Sequence, residues 1–333
     1  MFEQILNRQN LVCVAIERIC ASGKPVAIYG AGYSGQECFE ALKRRGVKYV
    51  CDDDPEKIGK LFNGIPIVSV AHLPKNEDYF IIITNGYIAG MRRRLEQLGL
   101  SDKLLDIDFG RFDRANENYA YYVQNRDKIE AVYALLEDGV SKEVFLKMIN
   151  YRIHRDRKEI LNIVETGQYF DTKIIQFSNE EVFADLGACD GDTIRLFCER
   201  VDNKYKGVVA MEPSLRNYVR LTEFTKKMHD VQCFNVAAWS ENTMLKFEMP
   251  DSKNSYVSHD GGCDVMAVKL DDFMAEKGVI PTFIKADIEG AEQDAIRGMR
   301  HIISTYRPKL ALCVYHKIED MFEIPLLVNS ISD

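Results

Sequence analysis

The 333-residue chain has no basic stripe: 51 acidic residues outnumber 43 basic ones, the net charge is −8, and the positive side chains are scattered. Nucleic-acid binding needs a concentrated positive surface, so nucleic acid is not an expected partner. A long apolar run is missing too. Near the N-terminus Ile5, Leu6, Leu11, Val12, Ile16 and Ile19 are interrupted by Glu3, Arg8, Glu17 and Arg18, the periodicity of an amphipathic helix rather than of a signal peptide or membrane span. The nine cysteines are odd in number, without a Cys-x-x-Cys or a neighbouring histidine cluster. Reduced thiols, a cytoplasmic location and no structural zinc are the expectation. No repeat of solenoid period and no low-complexity linker interrupts the chain. Its length suits two domains, each large enough to bury a core.

What is present is concentrated in glycine turns that follow apolar runs. Glu181 to Thr193, EVFADLGACDGDT, reads as a strand, a glycine-rich turn and the start of a helix; Val208 to Met211 then forms a second apolar run ending at Glu212. One βαβ unit accounts for that spacing. Its glycines let backbone approach a nucleotide cofactor, and an acid ending the second strand accepts hydrogen bonds from ribose hydroxyls. The turn lacks the G-x-G-x-x-G spacing of a dinucleotide site, and S-adenosylmethionine is the better fit. A further strand, Thr282 to Ala286, ends in Asp287, Glu289 and Gly290 before a helix.

Taken in order, Asp-Leu-Gly-Ala-x-x-Gly-Asp-Thr, Glu212-Pro213, Ile-Lys-x-Asp-Ile-Glu-Gly-Ala-Glu, Arg307-Pro308-Lys309 and Val314-Tyr315-His316-Lys317 resemble the FkbM-type S-adenosylmethionine-dependent methyltransferases over roughly residues 165 to 328. The resemblance implies a class I methyltransferase-type sheet and O-methylation, often of sugars or natural products. It leaves the acceptor unnamed.

The residues allow roles to be assigned on that basis. Asp185, Gly187 and Gly191 are the candidates for the cofactor's amino-acid portion, and Glu212 for its ribose. Asn235 and Ala237, beyond a third strand over Val231 to Phe234, are placed to flank the adenine. Asp185 would alternatively act as a helix N-cap. A hydroxyl acceptor is a poor nucleophile until it loses its proton; Asp287, Glu289 and His316, at the carboxyl ends of the fourth and fifth strands, are the candidate bases. Lys285 would steady those carboxylates. Glu289 and Glu292 also suit the N-terminus of the following helix, and His316 suits a structural role. No metal is expected, since ribose contacts, base chemistry and helix ends account for the acids without a spaced His/Asp ligand set.

An earlier glycine turn, Gly30-Ala31-Gly32-Tyr33-Ser34-Gly35, does fit G-x-G-x-x-G. A helix-like run and a strand, Val47 to Cys51, follow it and end at Asp52 and Asp53, as in a Rossmann-type site. Strands over Gly64 to Val68 and Tyr79 to Thr84 and a helix over Ile88 to Leu98 complete a small parallel α/β unit. It resembles the small Rossmann-like domains of bacterial sugar acyltransferases and other sugar-modifying enzymes. That implies a nucleotide or nucleotide-sugar near Gly30, Gly32 and Gly35, with Asp52 or Asp53 at a ribose. In the other reading the glycines only permit tight strand–helix packing.

Helical periodicity over Asn116 to Glu137 and Ser141 to Ile163, with Gly139 as a break, marks a connector. Tyr119, Tyr121, Tyr122 and Tyr133 read as packing residues ahead of an acceptor-groove lining, and Arg152, Arg155 and Arg157 as a solvated face ahead of an anion site for a phosphate-bearing acceptor. Polar residues between Pro250 and Cys263, including Ser252, Asn254, Ser255 and Ser258, suit acceptor recognition or a plain surface loop. The chain stops where the family usually continues into a final pair of strands. The exposed sheet edge this predicts would be a truncation, a place for a partner strand as in a homo-oligomer, or a sign of lost activity.

The expected architecture is therefore α/β: a Rossmann-like domain over 1–110, a helical connector over 111–165, and a methyltransferase domain over 166–333 that lacks its last strands. The expected function is methyl transfer from S-adenosylmethionine to a hydroxyl of a carbohydrate-containing or related small molecule. A non-catalytic nucleotide- or sugar-binding assembly protein is the alternative, ahead of an NAD-dependent oxidoreductase, for which no Tyr-x-x-x-Lys pair stands out.

Overall fold

Apolar runs alternating with glycine turns fold, in the computed structural model, into two units that divide between Val164 and Glu165. The structure describes residues 1–42, 46–84, 88–105, 107, 118–160, 163, 168–171, 174–248, 256–257 and 262–332.

In the first unit Asn10 caps the helix Leu11–Ser22 by accepting a hydrogen bond from Val12 N, and Gly23, at φ 64°, ends it. The strands β1 (Val26–Tyr29), β2 (Val47–Cys51), β3 (Leu61–Phe62), β4 (Ile65–Val68) and β5 (Phe80–Ile83) form one sheet in the order β3-β4-β2-β1-β5. All neighbours are parallel except the β3–β4 hairpin. Every residue of β1 and β5 is buried, because alternate side chains feed cores on opposite faces: Val26, Ile28 and Ile82 pack with Val12 and Phe39, whereas Ala27, Tyr29 and Ile83 pack with Met91 and Leu95.

The helices Tyr119–Gln124, Arg126–Leu135 and Gly139–His154 also lie within the first unit. Asn150 ties the last of them to the N-terminal segment, accepting from Leu6 N at 2.9 Å and donating to Gln4 O at 3.0 Å. Gly139 is the first residue of its helix, behind the N-cap Asp138, and not the break itself. Arg152 and Arg155 are buried at 4% and 7% exposure, so they do not form the expected solvated face. Tyr122 is fully buried, as a packing residue should be.

The second unit contains β6 (Val182–Leu186), β7 (Gly207–Met211), β8 (Val231–Phe234), β9 (Ala237–Trp239), β10 (Thr243–Glu248), β11 (Tyr256–Val257), β12 (Cys263–Lys269), β13 (Phe283–Ala286) and β14 (Lys309–Leu312). Five of them make a wholly parallel sheet in the order β14-β13-β6-β7-β8. The other four form a second sheet, β11-β10-β12-β9. Period-two alternation sorts the parallel sheet's faces: Ala184, Leu186, Ile284 and Ala286 enter one core, and Phe183 and Phe283 enter an aromatic one with Phe170 and Phe197. Chain order reverses between β6 and β13, which puts a ligand crevice at their carboxyl ends. Gly298 packs its helix on β9 so closely that a Cβ would meet Trp239 O at 1.9 Å.

At the opposite, amino end of the sheet, Glu181 knits three strands together. Its side chain is 1% exposed and ion-paired with Lys309; it also accepts from Thr282 Oγ1 and from Ser178 N, the latter at 2.9 Å. Burial would raise its pKa, but Lys309, Thr282 and Ser178 N outweigh burial and hold it below the ordinary glutamate value. A depressed carboxylate contributes stability above its unfolded pKa and loses it as pH falls through the folded one. Urea unfolding followed by circular dichroism between pH 7 and pH 3 should therefore show a steeper acid loss in the wild type than in Glu181→Gln. The variant should also be about 1.5–3 kcal/mol less stable at neutral pH. Parallel pH profiles would contradict this.

Candidate active site

At the carboxyl end of the parallel sheet lies a cavity of about 350 Å³, within the usual range for small-molecule sites. Its walls come from the turns after β6, β7 and β13, from residues 236–239 at β9, and from Gln168 and Tyr169. The β6 turn takes its shape from left-handed residues: Gly187 at φ 79°, Cys189 at 49° and Gly191 at 89°. A Cβ on Gly187 would stand 2.2 Å from Asp287 O, so glycine is needed there for the two turns to touch.

Glu212 lies at the end of β7, 5% exposed, with its carboxylate against that turn. Oε2 accepts from Cys189 N and Oε1 from Ser214 N, each at 2.8 Å. Burial raises the Glu212 pKa, with these amides and Asn217 acting against it. Asn235 donates to Glu212 O at 2.8 Å and to Pro213 O at 3.0 Å. It braces the backbone behind the cavity, while Val236, Ala237, Ala238 and Trp239 line it. Ala237 belongs to β9 and not to a loop.

Asp185 and Lys285 are register partners on adjacent strands. Both point to the aromatic face, with side chains 0% and 3% exposed and Nζ 3.0 Å from Oδ1. Lys285 Nζ also donates to Gly187 O at 2.9 Å, which holds the glycine turn, and it lies over the Tyr169 ring at 5.6 Å. Burial pushes the Asp185 pKa up, against the pull of Lys285. Burial opposes the lysine's charge, but Asp185 and Asp287 outweigh it and raise its pKa.

Beyond β13, Asp287 accepts from Tyr169 OH on Oδ2 and from Tyr315 OH on Oδ1, both at 2.9 Å. Burial alone would raise its pKa; Lys285 and the two phenols more than reverse this and hold it below the usual carboxylate value. Glu289, at φ 53°, is followed by Gly290 at φ 95°. His316 Nε2 is 3.4 Å from both Asp287 Oδ1 and Glu289 Oε2, and Nδ1 is 2.8 Å from Glu292 Oε1. Burial would lower the imidazole's pKa, but Glu292 first, then Glu289 and Asp287, raise it. β14 ends at Leu312; the residues past the strand bring Tyr315 and His316 back onto Asp287. The cavity and the His316 cluster are thus one continuous mouth, with Asp287 and Glu289 in both.

Residues 185–328 match the methyltransferase FkbM domain family. The C-terminal unit is an FkbM-type methyltransferase domain. Residues 2–100 match the C-methyltransferase C-terminal domain, so both units carry methyltransferase-associated sequence. The crystal structure of methyltransferase FkbM from Methylobacillus flagellatus KT has the same fold, with a TM-score of 0.69 and 20% identity over 95% of this chain and 87% of that one. A search of curated proteins finds no match.

In the FkbM domain the expected residues Asp185, Gly187, Gly191, Glu212, Asp287, Glu289 and His316 gather at one end of one sheet. Tyr169, Trp239, Thr193 and Phe247 also belong to the wall or its supports, and sequence reasoning missed them. Tyr169 precedes the first strand of the sheet in a stretch without helical or strand periodicity, and only folding carries it to Asp287. Ser252, Asn254, Ser255, Ser258 and Gly261 lie outside the described residues.

In the first unit one amide of the glycine turn is bonded by the acid that ends β2. Asp52 Oδ2 accepts from Ala31 N at 2.8 Å and pairs with Lys57 at 2.9 Å, and Oδ1 accepts from Asp54 N at 3.0 Å. Burial would raise its pKa, yet these partners hold it low. Asp53 accepts from Tyr29 OH. Gly30 has φ 120°, Gly32 caps the helix Tyr33–Ala41, and a Cβ on Gly35 would lie 2.2 Å from Gly30 O, the close strand–helix approach that the second reading of this motif requires. Among the described residues, no helix is long and apolar enough to cross a membrane.

Proposed function

We propose that the chain is an S-adenosylmethionine-dependent O-methyltransferase whose acceptor is a carbohydrate-containing or related small molecule. The observation that carries the cofactor assignment is Glu212. Its oxygens take the backbone N–H groups of Cys189 and Ser214 and the side chain of Asn217, which leaves acceptor capacity for a ribose hydroxyl in the cavity. The surrounding residues fit the rest of the cofactor. The Gly187 and Gly191 turn admits its amino-acid portion, with Asp185 fixing that turn through Lys285, and Ala237 with its neighbours offers an apolar wall for adenine.

When bound, the cofactor supplies a methyl group on a positively charged sulfur; transfer breaks that S–C bond, forms a C–O bond and neutralises the sulfonium. The chain's task is alignment of the acceptor oxygen with the methyl. The hydroxyl must also lose its proton, and Glu289 on the cavity wall, with His316 3.4 Å from it, is the group that takes it. Asp287, held low in pKa by Lys285 and two phenols, is a charge stabiliser in this scheme and a weak proton acceptor.

Trp239 is the chain's one tryptophan and it lines the cavity, so its fluorescence reports on ligand entry. Calorimetric titration with S-adenosylmethionine, S-adenosylhomocysteine and NAD, paired with Trp239 quenching, should give saturable binding of the first two. Glu212→Ala should weaken S-adenosylhomocysteine about 10- to 100-fold, the value of a hydrogen-bonded charged acceptor. Glycosides should then gain one methylene in mass when incubated with chain and cofactor. Preference for NAD, or unchanged binding by Glu212→Ala, would overturn the assignment.

A further inference from the structure

We infer that Asp287, gripped by Tyr169 and Tyr315, is the counter-charge to the cofactor's sulfonium, and that the two tyrosines are positioning residues that aim it. This role rests on the methyltransferase reading and says which wall of the cavity reads the cofactor's charge. Strand order gives the place. Glu212 follows β7, the Gly187 turn follows β6 and Asp287 follows β13, so the three stand in a row along the sheet and all line the cavity. With ribose on Glu212 and the amino-acid portion on the Gly187 turn, the sulfur that joins them comes to the wall that Asp287 supplies. The two turns touch: a Cβ on Gly187 would lie 2.2 Å from Asp287 O.

The carboxylate is held by groups that fix it without cancelling its charge. Tyr169 OH donates to Oδ2 and Tyr315 OH to Oδ1, both at 2.9 Å, and burial above all pushes both phenols up, so they stay neutral donors. Tyr169 is itself pinned. Phe170 beside it is buried and packs on Phe183, Phe197 and Phe283, and Cys313 Sγ lies 3.4 Å from the Tyr169 hydroxyl.

The positive groups nearby answer other carboxylates. Lys285 Nζ is 3.0 Å from Asp185 Oδ1 and donates to Gly187 O at 2.9 Å. His316 Nε2 is 3.4 Å from Asp287 Oδ1, but it is also 3.4 Å from Glu289 Oε2, and Nδ1 is 2.8 Å from Glu292 Oε1. Negative charge therefore remains at Asp287, whose side chain is 25% exposed and so less screened than a carboxylate in water. An opposite charge within about 4–6 Å shifts an equilibrium about 10- to 1,000-fold. Methyl transfer neutralises the sulfonium and ends that attraction, so S-adenosylhomocysteine keeps the ribose and amino-acid contacts and loses only the one to Asp287.

The test is calorimetric titration of the full chain with S-adenosylmethionine, S-adenosylhomocysteine and sinefungin, which carries an ammonium in place of the sulfonium. Asp287→Asn keeps the shape and removes the charge. It should weaken the two charged ligands about 10- to 100-fold and change S-adenosylhomocysteine by no more than about twofold. Tyr169→Phe and Tyr315→Phe should each give a smaller loss of the same selective kind. Asp287 faces Tyr169, Lys285, Cys313, Tyr315 and His316, with Asp185 behind Lys285. Loss of a phenol donor leaves the other groups in place and raises its pKa, so its carboxyl carbon, followed by ¹³C resonance without ligand, should titrate at higher pH in either phenylalanine variant than in the wild type. A tyrosine that merely fills space would not move that titration. Equal weakening of all three ligands in Asp287→Asn would assign Asp287 to the shared amino-acid portion and overturn the role, as would an unchanged ratio of S-adenosylmethionine to S-adenosylhomocysteine affinity. In both cases Glu212-dependent binding of S-adenosylhomocysteine leaves the methyltransferase reading standing. If the folded wild type binds none of the three ligands, that reading and this role fall together.

Discussion

Lys285→Met is expected to destabilise the C-terminal unit by about 3–5 kcal/mol, because it strands a buried carboxylate. Asp185 is fully buried in register with Lys285, and burial already pushes its pKa up against the pull of that lysine. Removing the ammonium leaves the desolvation and deletes the compensation. It also removes the donor to Gly187 O, so the glycine turn should loosen and cofactor affinity should fall with stability. The double variant Asp185→Leu/Lys285→Met separates the two effects. Replacing both members of a buried pair by apolar groups is often close to neutral, so the double variant should recover most of the lost stability and none of the lost affinity. Urea unfolding of the four proteins, with S-adenosylhomocysteine titration of each, reads both quantities. If single and double variants unfold at the same midpoint, the buried pair is not the source of the cost.

Gly187→Ala should be nearly as damaging, for a reason that lies in the backbone. The new Cβ would sit 2.2 Å from Asp287 O and 3.1 Å from Ile288 Cγ2, at φ 79°. The left-handed conformation costs a non-glycine residue about 1–2 kcal/mol and the overlap about 1–3 kcal/mol, so a loss of about 2–5 kcal/mol is expected. The β13 turn must retreat, and Asp287 with it, away from Tyr169 and Tyr315. Gly278→Ala is the matched control: its φ is 67° and nothing lies within 4 Å of its Cβ, so it carries the conformational cost alone. Thermal unfolding should rank wild type above Gly278→Ala and Gly278→Ala above Gly187→Ala, and only Gly187→Ala should lose cofactor binding. Equal losses in the two variants would show that the contact between the turns is unimportant.

Read from the chain alone, most strands of the two sheets built around β1 and β6 were legible to within a residue or so, whereas β3 was not foreseen and β14 ends at Leu312. Val26–Tyr29 and Phe80–Ile83 are continuous apolar runs, every residue buried, as strands covered on both faces require; Val47–Cys51 and Val231–Phe234 are only partly buried and carry Lys48 and Gln232 at exposed positions. The glycine turn and Glu212 were legible for a related reason: backbone that must approach a ligand leaves glycine at fixed places, and a ribose partner must end the next strand. The second sheet was harder to see, because short strands such as Ala237–Trp239 carry too few residues for periodicity to register.

The sequence by itself therefore determined the α/β class, the order of the parallel strands' segments, and the end of the C-terminal unit's parallel sheet toward which Asp185, Glu212, Asp287 and His316 would lie. All of these follow from local rules, since strand alternation and turn chemistry are written in neighbouring residues. Tertiary structure alone decided which charges meet. It paired Lys285 with Asp185 across two strands, put Asp52 on the Ala31 amide of the first glycine turn, and set His316 among Asp287, Glu289 and Glu292. Those outcomes depend on distances of a few ångströms between segments far apart in the chain, and strand register and turn geometry set such distances only once the whole sheet has closed.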